Sequence, residues 1–243
     1  MNIDVTGEPI LRGLRAHFIS PDYEWRSVRD CASCGTSEGI FDVAAVKSIK
    51  EVSLVTSVCR RCGYGFHSRR PQAQWYRDFY ASQWDKAGRA NEPDPKSLPP
   101  GTKILDICEP FLGPKGDVLE IGCGFGQSLL GFQRRGYGVY GVEAASHRSR
   151  FVRENCGIPC ESTCVEEFLS RGADRKFDLV MSHHVLEHLE DPNTYVEALP
   201  RLLRPGGYAY LCVPDFGMVS IFRKGSTSFH MSRCSPCLPF TIC

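Results

Sequence analysis

The chain has 243 residues, of which 42% are hydrophobic, and its 29 basic residues nearly balance its 28 acidic residues. This composition is typical of a globular protein with one large or two modest domains. A net charge of +1 argues against nucleic acid as the partner, because such binding depends on phosphate neutralisation. The absence of a long apolar run and of a signal-peptide pattern predicts a cytoplasmic protein that does not enter the membrane.

Thirteen cysteines predict metal binding or burial rather than disulfides in a cytosolic chain. Two C-x-x-C pairs are 24 residues apart, and they comprise Cys31, Cys34, Cys59 and Cys62. Four thiolates complete the tetrahedral shell of a structural zinc ion, and residues 40–58 between the pairs are predicted to form a β-ribbon. Coincidental burial is the alternative. The other cysteines, Cys212 among them, have no paired spacing and are interpreted as core residues.

Four parts are predicted along the chain: a zinc ribbon at 24–70, a helix and polar linker at 71–100, an α/β domain at 101–217 and an irregular tail at 218–243. Strands are predicted at Asp117–Ile121, Gly138–Glu143, Phe177–Met181 and Gly207–Val213, with a weaker one near Gly157–Glu161. Helices are predicted at Ser128–Arg135, Ser146–Asn155, Val165–Arg171 and Thr194–Leu203. This alternation predicts the α/β class, with a doubly wound, Rossmann-like parallel sheet.

Three glycines, Gly122, Gly124 and Gly126, follow the first of these strands, and Glu143 ends the second. Glycine permits positive φ and close approach of the backbone to a ligand, and the helix that follows directs its first N–H groups outward. An acid at the end of the second strand can accept hydrogen bonds from ribose hydroxyls. A dinucleotide motif would have its third glycine at position 127, so the pattern argues against NAD or FAD. A tight turn without a ligand is the alternative.

The segment VLEIGCGFGQSLLGFQRRGYGVYGVEAA resembles the first two motifs of class I S-adenosylmethionine-dependent methyltransferases. FDLVMSHHVLEHLEDP and LRPGGYAYLCVPD resemble later motifs of the same family, so the resemblance covers about Val118 to Asp215. It implies that S-adenosylmethionine is the cofactor and that Glu120 and the three glycines line its methionine end. It also implies that Glu143 holds the ribose and that Thr163 and Cys164 flank the adenine.

Two histidines, His183 and His184, are predicted just beyond the fourth strand. Ligands of an open α/β sheet bind outside the carboxyl ends of its strands, so both side chains are expected near the methyl donor. Imidazole is a suitable general base, and His184 is the first candidate, His183 the second. Packing or helix capping is the alternative for each.

Residues 184–188 also spell H-x-x-E-H, a pattern of certain zinc peptidases. The preceding Rossmann strand argues against that function. The segment LEH-DP resembles the ubiquinone-biosynthesis type of O-methyltransferase, which implies that acidic and histidine side chains here can support a divalent ion. His184 departs from that subgroup, which tends to have an acid at this position.

The ribbon followed by WYRDFYASQW resembles the N-terminal zinc-binding domain of bacterial sugar C-methyltransferases. This resemblance implies a small-molecule acceptor, favours a nucleotide-linked sugar, and makes Tyr76 and Tyr80 candidate pocket residues. It also implies a catalytic role for His230 in SFHMS. The alternatives are an RNA methyltransferase that binds through the ribbon and a truncated, inactive relative.

Class I methyltransferases normally continue past the fifth strand with a helix and antiparallel strands. Residues 218–243 have neither helical periodicity nor strand alternation, and serine, cysteine and proline dominate them. We therefore expect a sheet that lacks the C-terminal antiparallel strands and a tail that is truncated or frame-shifted. The sequence carries no signal for an oligomeric state.

Overall fold

The structure is a computed structural model that describes residues 25–47, 53–72, 74, 92–94, 96–171, 174–189, 191–214 and 227–233. The chain divides into two compact units, one within residues 1–83 and one within residues 84–242. Tyr76 and Tyr80 lie outside the described residues. None of the helices in the described ranges is long and apolar enough to cross a membrane.

The first unit contains a four-stranded antiparallel sheet with the order β1-β4-β3-β2. Its strands are β1 (Trp25–Ser27), β2 (Ile40–Lys47), β3 (Ser53–Cys59) and β4 (Gly65–Pro71). β2 and β3 pair with each other as the ribbon that the sequence predicts for residues 40–58. Among the side chains described in this unit, the buried apolar ones are Cys31, Cys59 and Phe66.

The second unit is built on a six-stranded sheet with the order β10-β9-β8-β5-β6-β7. Its strands are β5 (Asp117–Ile121), β6 (Gly138–Glu143), β7 (Cys160–Ser162), β8 (Phe177–His183), β9 (Leu203–Pro214) and β10 (Thr227–Arg233). Neighbouring strands from β5 to β9 are parallel, and β10 is antiparallel to β9. Each strand that the sequence predicts overlaps one of these.

Five α-helices are described in this unit: α1 (Thr102–Cys108), α2 (Gln127–Arg134), α3 (Ser146–Cys156), α4 (Val165–Arg171) and α5 (Pro192–Leu202). The last four agree with the predicted helices within two residues at each end, whereas α1 was not predicted. Leu105, Phe132 and Val152 bury α1, α2 and α3 in one hydrophobic core. Phe168 and Tyr195 bury α4 and α5 in a second core. Helices therefore cover both faces, as a doubly wound sheet requires.

The structure corrects the expectation that no antiparallel strand follows the fifth parallel strand. β10 pairs with β9 from Thr227 opposite Pro214 to Arg233 opposite Tyr208. In SFHMS, Phe229 and Met231 alternate with polar residues, but this alternation is too short to predict a strand by itself. The edge of β9 supplies the long-range partner that selects the extended conformation. Of the tail at 218–243, only residues 227–233 are described.

A cluster of charges ties together the amino ends of three adjacent strands. Arg204 donates to Asp117 Oδ2 at 2.6 Å and also to Asp178, while Arg175 donates to Asp117 Oδ1 at 2.8 Å. The backbone N–H of Asp117 donates to Asp178 Oδ2 at 2.7 Å. These contacts link β5, β8 and the start of β9 at the edge opposite to the glycine turn.

Candidate cofactor and metal sites

The glycine turn and the two neighbouring histidines meet where the winding of the sheet reverses. β5 lies between β6 and β8, so the chain winds outward through β6 and β7 in one direction and through β8 and β9 in the other. Open α/β sheets bind ligands in the crevice outside the carboxyl ends of the strands at this point. The turns after β5 and β8 both lie at this end of the sheet, where such a crevice is expected.

The three glycines of the turn all have positive φ, with values of 76°, 56° and 78° for Gly122, Gly124 and Gly126. A Cβ atom at Gly122 would lie 2.4 Å from Val185 Cγ2, and one at Gly126 would lie 3.2 Å from Val152 Cγ2. A Cβ atom at Gly124 would have no heavy atom within 4 Å. The fold therefore restricts the first and third positions sterically, whereas Gly124 faces open space in which a ligand can approach the backbone.

Glu143 joins this turn to the end of β6. Its Oε2 accepts a hydrogen bond from Gly124 N at 2.9 Å, and its Oε1 accepts one from Ala145 N at 2.9 Å. Burial raises the pKa of Glu143, and the two backbone donors oppose that rise. Each carboxylate oxygen has a second lone pair, so the side chain can still accept hydrogen bonds from a diol.

Glu120, next to the last residue of β5, is buried, and its Oε2 has no hydrogen-bond partner. Burial raises the pKa of Glu120 to about 8, with a further rise from the charge of Glu143 and an opposing hydrogen bond from Ser128. At neutral pH the carboxyl group is therefore mostly protonated and can donate as well as accept. A buried polar atom without a partner is costly, and a polar ligand group would remove that cost.

Thr163 and Cys164 follow β7 and are half-buried. Ser162, the last residue of β7, lies opposite Glu143 in the parallel register, so this loop begins beside the end of β6. The Thr163 hydroxyl donates to Glu167 Oε2 at 2.9 Å, which fixes the loop to the first turn of α4.

The sequence predicts that both histidines lie beyond the strand, but His183 is the last residue of β8, directly opposite Cys212 in β9. His184 follows with φ 56°, and its N–H donates to the carbonyl of Cys212 at 2.9 Å. Side chains of consecutive strand residues point to opposite faces. The left-handed turn at His184 instead brings the two rings together, with centroids 4.2 Å apart and planes nearly perpendicular.

Glu187 contacts the second of these histidines. His184 Nδ1 lies 3.0 Å from Glu187 Oε1, and His188 Nε2 lies 4.0 Å from the same oxygen. Burial lowers the pKa of His183, as does the neighbouring His184, whereas Glu187 raises it. Leu186–His188 is a single 3₁₀ turn, so the H-x-x-E-H residues lack the α-helix that a zinc peptidase requires.

The register of β10 does not bring His230 to the histidine pair. His230 lies opposite Leu211, whereas Cys212 lies opposite Phe229 in β10 and opposite His183 in β8. Alternate positions of a strand belong to opposite faces of the sheet. The backbone register therefore sets position 230 one residue out of step with Cys212, and the catalytic role of His230 stays a prediction.

The structure brings together all four cysteines of the predicted zinc ribbon. The Sγ atoms of Cys31 and Cys62 are 3.5 Å apart, those of Cys34 and Cys59 are 3.7 Å apart, and all four lie within 4.8 Å of one another. Sulfur atoms bound to one tetrahedral zinc ion at 2.3 Å lie about 3.8 Å apart. The four thiols therefore fit a zinc ion.

The two C-x-x-C turns that hold these sulfurs have the same backbone structure. Gly35 and Gly63, which follow the second cysteine of each pair, have φ values of 70° and 76°. Their N–H groups donate to the carbonyl groups of Cys31 at 2.7 Å and Cys59 at 2.8 Å. Burial raises the pKa of the Cys31 thiol, and backbone hydrogen bonds from Cys34 and Ser33 oppose that rise.

Comparison with known proteins finds similarity within the second unit. Residues 119–211 match the family model described as a methyltransferase domain. Ubiquinone biosynthesis O-methyltransferase of Cereibacter sphaeroides is 35% identical over 103 residues, which are 40% of this chain and 40% of that protein. The same enzyme of Pasteurella multocida is 29% identical over 106 residues, 38% of this chain and 44% of that protein. The chain thus spans about two fifths of the length of these curated relatives.

Two solved structures resemble the chain at low sequence identity. One is a putative S-adenosylmethionine-dependent methyltransferase of Methanococcus maripaludis, with a TM-score of 0.44, 18% identity, and coverage of 52% of this chain and 62% of that one. The other is an amino pentose methyltransferase of Micromonospora echinaspora, with a TM-score of 0.41, 22% identity, and coverage of 54% and 56%. The segment that matches the methyltransferase-domain model contains both the glycine turn and the histidine pair.

Proposed function

We propose that the chain binds S-adenosylmethionine at the glycine turn and transfers its methyl group to a carbon or oxygen of a small molecule. The hydrogen bond from Gly124 N to Glu143 is the main observation in support, because it joins the open glycine to the acid that would hold the ribose. Glu120 and the three glycines would then contact the methionine end. Thr163 and Cys164, beside the end of β6, would flank the adenine.

The histidine pair would act on the acceptor. Bound S-adenosylmethionine supplies a methyl group on a positively charged sulfur, and the acceptor must present a lone pair in line with the breaking bond. We propose that His184, with His183 as the second candidate, takes the proton from the acceptor. The contact between His184 Nδ1 and Glu187 supports this role, since a carboxylate stabilises the imidazolium that forms.

The acceptor class is proposed from two sources. The matched relatives are named as O-methyltransferases, which favours a hydroxyl group. The zinc-ribbon resemblance favours a nucleotide-linked sugar, which also presents hydroxyl groups. Transfer of labelled methyl groups to a panel of phenols and nucleotide-linked sugars distinguishes the two, and labelling of neither would contradict a small-molecule hydroxyl acceptor from these classes.

We also propose that the four-cysteine cluster binds a structural zinc ion. The sulfur distances and the paired glycine turns support it, and four protein ligands leave no open coordination position for a substrate. Its proposed role is to stabilise the small antiparallel sheet.

Glu143→Gln is expected to weaken S-adenosylmethionine binding by about 10-fold to 100-fold, which corresponds to the loss of one or two charge-assisted hydrogen bonds. Isothermal titration calorimetry measures this change, with NAD as a ligand that should give no heat. Glu161→Gln is the matched control, since Glu161 pairs with Arg171 outside the crevice. Equal affinity of the Glu143 variant and the control would remove Glu143 from the ribose site.

His184→Gln is expected to lower kcat by about 100-fold to 10,000-fold while leaving S-adenosylmethionine affinity unchanged, because a general base acts on the acceptor. His188→Gln provides the control, since His188 is exposed and lies outside the pair. A His184 variant that retains the kcat of the control would show that another group accepts the proton.

A further inference from the structure

We propose that His183, His184 and Cys212 form a second metal site, which binds a borderline ion such as Zn²⁺ or Co²⁺. One nitrogen of each imidazole and the Cys212 sulfur lie within 4.8 Å of one another. Among the described residues, this cluster and the four-cysteine cluster are the two groups of three or more potential ligands that lie so close together. The site lies at the carboxyl ends of β8 and β9, in the crevice described above.

The distances require only a small contraction. Nitrogen and sulfur ligands of one tetrahedral zinc ion lie about 3.3 to 3.8 Å apart, given bond lengths of about 2.0 to 2.3 Å. Donors within 4.8 Å of one another must therefore close by at most about 1.5 Å. Rotation of the two imidazoles about their side-chain torsions is the movement that the proposal requires.

The backbone at this site is strained in a way that the ligand cluster explains. His184 is the one residue other than glycine with positive φ in the part of the chain that the structure describes. A left-handed conformation is unfavourable for histidine, and strain of this kind concentrates at functional sites. Here it places both imidazoles beside Cys212, and the hydrogen bond from His184 N to the Cys212 carbonyl holds it in place.

Glu187 supplies the outer contact that metal-bound histidines usually have. Its Oε1 lies 3.0 Å from His184 Nδ1. A proton on Nδ1 that is shared with this carboxylate leaves the lone pair of the ring on Nε2, the nitrogen available to an ion. Carboxylate–histidine–zinc arrangements of this type orient the ring and strengthen the ligand.

The donor atoms select the class of ion. Imidazole and thiolate favour zinc, cobalt or copper, whereas magnesium and calcium prefer oxygen ligands. The Glu187 carboxylate is within hydrogen-bond distance of His184, so the nearby oxygen donors do not by themselves form a site for a hard ion.

Three protein ligands leave one position of a tetrahedral ion open, as in catalytic rather than structural zinc sites. An acceptor hydroxyl group fits that position, since an ion there would lower the pKa of the coordinated hydroxyl. In the metal-loaded chain the ion would thus replace His184 in activating the acceptor, and His184 would act as the base only in the metal-free chain. Only this choice of fourth ligand rests on the proposed function. Metal binding itself is measured without S-adenosylmethionine or an acceptor.

The test titrates the metal-free full chain with Co²⁺ and follows the visible absorption bands of the bound ion. The wild-type chain is expected to bind about two ions, one per cluster, and Cys212→Ser about one. Cys108→Ser is the matched control and should keep both ions, since Cys108 is buried in the same core but lies outside the cluster. One ion in the wild type, or two in Cys212→Ser, would overturn the proposal.

Two further variants keep the test decisive. If circular dichroism shows that Cys212→Ser is unfolded, His184→Gln replaces it, with one ion expected and two ions overturning the proposal. A hard-ion site at Glu187 and His188 would instead lose its ion in His188→Gln and keep it in Cys212→Ser. Calorimetry with S-adenosylmethionine on the same samples reports separately on the proposed function.

Discussion

Gly124→Ala is expected to abolish detectable S-adenosylmethionine binding while the chain remains folded. The new Cβ atom would have no protein atom within 4 Å. The free energy of unfolding should therefore fall only by the cost of a left-handed alanine, about 1–2 kcal/mol. The methyl group would occupy the space through which the proposed cofactor approaches the backbone. Calorimetry measures the binding, and urea unfolding followed by circular dichroism measures the stability.

Two other glycines serve as controls for this prediction. Gly136 has φ 87° and no heavy atom within 4 Å of its ideal Cβ position, so Gly136→Ala should cost similar stability and leave binding intact. Gly122→Ala should destabilise the fold further, since its Cβ atom would lie 2.4 Å from Val185. Overpacking of this kind adds about 1–3 kcal/mol. Full binding by the Gly124 variant would place the cofactor elsewhere.

Removal of zinc is expected to unfold the antiparallel sheet of the first unit. Zinc binding contributes about 10 kcal/mol or more in small metal-stabilised domains, and the described side chains of this unit form little apolar core. Limited proteolysis before and after treatment with a chelator should reveal new cleavage within residues 25–72. Acid should act in the same direction, because protons compete with the ion for the thiolates.

Cysteine variants distinguish loss of the ion from an effect of the chelator. Cys34→Ser should reproduce the new cleavage without chelator, since it removes one of the four sulfurs. Cys156→Ser should not, because Cys156 belongs to the helical layer of the second unit. An unchanged proteolytic pattern after verified loss of zinc would refute a stabilising role for the ion.

Local patterns were sufficient to predict most of the parallel sheet. Short apolar runs such as the one at β5 encode a strand locally, and so do the helical patterns between them. The predicted and observed ends of these elements therefore agree closely. The glycines and Glu143 also lie close together in sequence, which made the glycine turn predictable. The four-cysteine cluster was predictable because each C-x-x-C pair forms its own turn.

Features that depend on long-range pairing were not predictable. β10 takes its conformation from the edge of β9, and its own alternation is brief. Cys212 was predicted to be a core residue, and it is buried in the first core. Its place opposite His183 was not predicted, because it depends on the register between β8 and β9.

The charge cluster of Arg204, Asp117 and Asp178 has a consequence for amide hydrogen exchange. Its charged contacts link the amino ends of β5, β8 and β9. The carboxyl ends of β5 and β8 lead into the turns proposed to bind ligands. Slow exchange should therefore concentrate at the fastened ends, and occupancy of the crevice should slow exchange mainly in the turns at 122–126 and 183–185. Ligand binding is therefore expected to change the rigidity of these turns and to leave that of the amino ends unchanged.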